Sequence, residues 1–105
     1  MDIQPTRFNI VDIVDNLNRI TNQVFKLLPL REEHGDWQAP LESLLVEIKG
    51  MAILFDNQKE LFSLVCKMEG LKTLTDEEDF LIFRKTIFEC LGLLTKVKQW
   101  VNSIY

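Results

Sequence analysis

One histidine, two cysteines and a single tyrosine leave this 105-residue chain little catalytic chemistry to draw on. With His34 alone, multi-histidine metal sites are excluded, and so is the pair of Glu-x-x-His motifs that a di-metal helical bundle requires. Cys66 and Cys90 are too few and too unpatterned for a disulfide framework, which points to a reduced cytoplasmic protein. Only four glycines are present, and none forms a phosphate-cradling loop or a Gly-x-Ser-x-Gly elbow. No apolar run approaches the roughly 18–20 residues of a membrane span, and Met1 to Arg7 lacks the basic and apolar regions of a secretory signal. These absences predict a protein that is not an enzyme, holds no cofactor or metal, turns over no small-molecule substrate and binds no membrane.

What the chain does have is apolar spacing. Hydrophobic residues make up 47% of it, enough apolar surface to offset the ordering entropy of one domain spanning residues 1–105. From Ile10 the series Ile10, Ile13, Leu17, Ile20, Val24, Leu27 steps by 3 and 4, the seam of an amphipathic helix, which Val11, Val14 and Leu28 broaden. Thr6 or Asn9 is the expected N-cap and Pro29 the expected stop. A polar connection with Glu32, Glu33, His34 and Gly35 follows. Asp36 is the candidate cap of a second helix, whose seam is Trp37, Leu41, Leu44, Ile48, Met51, Phe55 and whose first turn tolerates Pro40. Gly50 in that helix offers room for a neighbouring backbone. Asn57 with Glu60 reads as a capping box for a third helix carrying Leu61, Leu64, Met68 and Leu71. Thr75 with Glu78 reads as a second box, and Asp76 to Asp79 supply negative charge to the first turn of helix four.

Helix four has the longest seam: Phe80, Phe83, Ile87, Cys90, Leu94, Val97, Val101, Ile104. The expected lengths are about 20, 19, 15 and 28 residues, so helix four should exceed helix one by about 10 Å. The predicted fold is all-α, an antiparallel four-helix bundle with a long C-terminal helix. The competing layout fuses helices two and three into one kinked rod that dimerises to bury its core.

Helix four also carries more apolar residues than one seam can bury. With Phe80 at heptad position a, Leu81 and Phe88 fall at b, Ile82 at c, and Leu93 and Trp100 at g. Gly92 lies near the Leu81–Phe88 line, where its lack of a side chain admits another backbone. Leu81, Ile82, Phe88, Gly92, Trp100 and Tyr105 are therefore the candidate protein interface, with Trp100 expected to be covered by a partner rather than by its own bundle. The leading expectation is a non-enzymatic interaction module that self-associates or docks a protein partner through helix four. Beyond its first turn the same helix concentrates Arg84, Lys85, Lys96 and Lys98 against Glu89, on a chain of net charge −4. A nucleic-acid accessory protein using those four cations is the runner-up. A third class is a small immunity or inhibitor protein that presents acidic loop residues such as Glu32, Glu33 and Asp36. His34 in that loop and the two thiols have ordinary structural explanations.

Overall fold

A computed structural model describes the backbone of residues 5–55 and 58–104 and the side chains of residues 12–55 and 58–103. Among these residues four helices run in the order α1 (Pro5–Glu32), α2 (Gln38–Leu54), α3 (Lys59–Leu71) and α4 (Phe80–Ile104), with a 3-10 turn, Glu77–Asp79, leading into α4. Each helix packs against its neighbours in a closed cycle, α1 on α2, α2 on α3, α3 on α4 and α4 on α1. The result is the antiparallel four-helix bundle, drawn out to 53 × 21 × 18 Å. Because α2 lies against α3, the fused rod is excluded.

The core follows the seams. Leu17, Ile20, Val24 and Leu27 from α1 meet Leu41, Leu44 and Ile48 from α2, Leu61, Leu64, Met68 and Leu71 from α3, and Phe83, Ile87, Cys90, Leu94, Val97 and Val101 from α4. Burying each such leucine or isoleucine stabilises the fold by about 1.5–3 kcal/mol. Leu45 and Ala52, which lie off the α2 seam, are buried too. Ile10 and Ile104, at the ends of their seams, have side chains outside the described residues.

Ion pairs lace the neighbouring helices from outside. Arg19 of α1 grips Glu47 of α2 with both guanidinium nitrogens. Lys49 meets Glu69 at 2.7 Å, Lys72 meets Glu42 at 3.1 Å, and Lys67 meets Glu89 at 3.0 Å. The hydrogen bond from Lys49 holds the Glu69 carboxyl below its ordinary range, and the one to Glu42 raises Lys72. All are solvent-facing, so they set register more than they stabilise.

The helix ends depart from the sequence reading in instructive ways. Helix α1 has 28 residues where about 20 are expected, and α4 has 25, so α4 is long without outrunning α1. Thr6 and Asn9 are not caps, because α1 starts at Pro5. Nor does Pro29 stop the helix. A proline inside a helix costs about 3 kcal/mol through its missing donor and ring clash. Here the turn beyond it is held from outside. Leu28 and Arg31 are buried, and Nη2 of Arg31 donates to the carbonyls of Leu74 at 2.6 Å and Asp76 at 2.7 Å. The helix then closes with a Schellman motif, Gly35 N–H to Leu30 O at 2.8 Å and His34 N–H to Arg31 O at 3.1 Å. His34, rather than the glycine, takes the left-handed position, with φ 58°. Gly35 fits because a Cβ there would sit 3.3 Å from the Leu30 carbonyl oxygen.

At the start of α2, Trp37 occupies the N-cap, but Asp36 supplies the capping oxygen, accepting from the amides of Gln38 and Ala39 at 3.2 Å. Asn57 lies outside the described residues. Gln58 instead caps α3, its side chain accepting from the Glu60 amide at 3.1 Å. The Thr75–Glu78 box does not form: the chain is extended at Asp76 and tightens into the 3-10 turn, with no side-chain cap. The acidic run does occupy that first turn, where negative charge meets the positive end of the helix dipole.

Candidate functional site

The α4 face opposite the core carries the expected surplus. Leu81, Lys85, Phe88 and Gly92 are spaced by 4, 3 and 4 residues and so share one line on the helix. Leu81 is 75% exposed, Ile82 55% and Phe88 46%. Among the described residues nothing comes within 4 Å of a side chain built at Gly92, so the line is open there to another backbone. Ile82 lies toward α3, because Glu89, seven residues on, is the partner of Lys67 there. Trp100 departs from expectation. It is half-buried against its own core and meets Phe55 edge to face, with ring centroids 5.4 Å apart. The bundle itself covers part of this ring, because α2 ends level with it. Tyr105 lies outside the described residues.

The four cations of α4 do not form one stripe. Lys85 and Lys96 are exposed; Lys85 lies on the outward line, whereas Lys96, seven residues beyond Glu89, lies on the flank toward α3. Arg84 and Lys98 lie on the flank that meets α1, where Lys98 donates to Asn18 at 3.2 Å. The Arg84 guanidinium sits 5.2 Å from the centre of the Phe88 ring. Among the described residues Arg84, Lys85 and Lys96 form no ion pair, since Glu89 is taken by Lys67. The face is thus an apolar line with uncompensated positive charge beside it.

Two further features escaped the sequence reading. Val46, Ile53 and Phe62 are exposed, and Lys49, Ala52, Ile53, Phe62 and Val65 line a groove of about 490 Å3 between α2 and α3. Val46, Lys49 and Ile53, spaced by 3 and 4, could have been read as a second line on α2. Gly50, expected to admit a neighbour, has none among the described residues within 4 Å of a Cβ built there. The other feature is the end of the bundle around Arg31. The Arg31 guanidinium lies 4.7 Å from the ring centre of Phe83, 5.4 Å from Trp37 and 5.7 Å from Phe80. A pocket of about 490 Å3 opens beside it, lined by His34, Trp37, Thr75, Glu77 and Phe80 among others. No sequence spacing links residue 31 to residues 74–80, so only the fold reveals this pocket.

No family model, no curated protein and no solved structure matches the chain. The site must therefore be interpreted from its own chemistry. Among the described residues no three metal-ligating side chains cluster, and no helix is long and apolar enough to cross a membrane. The exposed His34 imidazole stands 4.0 Å from Glu77. Burial pushes the Cys90 thiol up to about 12, so it stays protonated and unreactive near neutrality. Cys66 is exposed. Glu32, Glu33 and Asp36 are exposed around the α1–α2 turn, with Asp36 engaged in capping.

Proposed function

We propose that the chain is a non-enzymatic interaction module that docks another protein chain, either a partner or a second copy, through the outward face of α4. The exposure of Leu81, Ile82 and Phe88 along a helix whose core positions are already filled carries this reading. Covering contiguous apolar surface is favoured by water at about 25 cal/mol per Å2. Arg84, Lys85 and Lys96, without acids of their own, favour a facing segment with apolar residues flanked by Asp or Glu. Open space over Gly92 would let a facing helix approach closely.

The test is Leu81→Ser combined with Phe88→Ser. Both side chains are solvent-facing, so the melting temperature should change little, while association weakens by about 2 kcal/mol or more, roughly 30-fold. Light scattering over a concentration series reads self-association, and affinity capture with the same variant reads a hetero-partner. Unchanged association in both would remove α4 as the docking face.

A further inference from the structure

Arg31 is only 8% exposed and yet has no acid partner among the described residues. A buried guanidinium ordinarily faces a carboxylate, because its desolvation is otherwise uncompensated. Here Nη2 is taken by the Leu74 and Asp76 carbonyls. Nε is buried without a hydrogen-bond partner among the described residues. Glu32 and Glu77 line the adjoining pocket, but neither forms an ion pair with Arg31, and Glu77 is turned outward. Three aromatic rings supply part of the missing compensation through their negative faces, but a ring accepts no conventional hydrogen bond from Nε or Nη1.

We infer that the pocket beside Arg31 is a binding site for a single carboxylate carried on a flat apolar body. The carboxylate accepts from Nη1 of Arg31, which is neither sealed off like Nε nor engaged like Nη2 among the described residues, and the body lies against Trp37 and Phe80, which wall the pocket. The rim sets the charge. Glu32 and Glu77 stand exposed at the mouth, so a dianion such as phosphate meets more repulsion than a monoanion does. A volume of about 490 Å3 suits a small ring rather than a folded chain. The same chemistry is offered by a free aromatic acid and by the C-terminal residue of a peptide. This site is independent of the α4 face and stands or falls separately from it.

The two tryptophans make the test direct, because Trp100 packs on Phe55 away from the pocket and serves as an internal control. The full chain, labelled with nitrogen-15, is titrated with sodium benzoate at constant ionic strength while both indole N–H signals are followed. The Trp37 signal should shift and saturate in the millimolar range or below, with Trp100 unmoved. Benzyl alcohol, which lacks the charge, and inorganic phosphate, which lacks the ring, should give no saturable shift. No saturation with benzoate, an equal response to benzyl alcohol, or a stronger response to phosphate would each overturn the assignment. Arg31→Met should abolish the response. Because that variant removes a structural contact, Glu77→Gln provides the second arm: its side chain is solvent-facing, and loss of a repelling charge should tighten benzoate about twofold to threefold. Weaker or unchanged binding there would contradict the site. N-acetylphenylalanyl peptides ending in a free carboxylate, compared with benzoate and with their amides, distinguish a chain terminus from a free acid. Binding by the amides as tight as by the acids would again overturn it.

Discussion

At one end of the bundle Trp37 meets Phe83 edge to face with ring centres 5.0 Å apart; at the other, Phe55 meets Trp100 in the same manner at 5.4 Å. Their surroundings differ. The first pair is buried deeply, with Phe83 fully enclosed, and a guanidinium lies over both of its rings. The second pair is half-buried, and among the described residues no cation lies over it. Among the described residues, one end of the core is covered by an aromatic pair. The other end uses the same closure to hold a charge, and that charge in turn holds the α3–α4 connection. The two ends illustrate the difference between an aromatic pair that fills space and one that also organises a polar group.

Substitutions at the two ends sharpen this contrast. Phe83→Ala should lower stability by about 3–5 kcal/mol, since it opens a cavity in the core and removes the ring nearest the guanidinium. Chemical denaturation measures it, and a loss below about 1 kcal/mol would mean that this end is not the tighter one. Trp100→Ala should cost about 2 kcal/mol, less than a fully buried ring because water already reaches part of it. If it costs as much as Phe83→Ala, the two ends are energetically alike and the contrast fails. Arg31→Lys keeps the charge but loses the planar group that lies over the aromatic rings while its Nη2 serves two carbonyls. About 1–2 kcal/mol should be lost on thermal melting, against no comparable charge dependence at the Phe55–Trp100 end. Smallest in size and opposite in sign, His34→Gly relieves a left-handed backbone at the close of α1 and should raise stability by about 0.5–1 kcal/mol. A loss instead would show that the His34 side chain, 4.0 Å from Glu77, contributes more than its backbone strain removes.

Much of the fold was legible because the 3-and-4 spacing states which side of each helix faces inward. Leu17, Leu41, Leu64 and Ile87 lie on the predicted seams and are buried. Helix ends were harder to read, since they depend on partners distant in sequence. Pro29 is a strong local stop, yet Leu74 and Asp76, more than 40 residues away, supply the acceptors that hold the turn beyond it. Gln58 does the work expected of its neighbour because a longer side chain can reach the same amide. At the candidate site, Leu81, Ile82 and Phe88 were legible as a surplus on a helix whose seam was already full. The partial cover of Trp100 by its own bundle was not legible, because the α4 pattern does not say where α2 ends. The α2–α3 groove and the Arg31 pocket each need two elements side by side, which no single stretch of sequence displays.

The reach of Arg31 also bears on how the molecule opens. A connection between two helices would ordinarily fluctuate by itself, but the carbonyls of Leu74 and Asp76 are tied to a side chain from the last turn of α1. The turn beyond Pro29, the α1–α2 link and the α3–α4 link therefore behave as one cooperative unit: none can be released into solvent without exposing the guanidinium cage and freeing the others. A local opening at this end becomes a concerted event involving three segments of chain. The order of assembly is constrained in the same way, because the link before α4 reaches its native shape only once a contact 43 residues distant in sequence has formed.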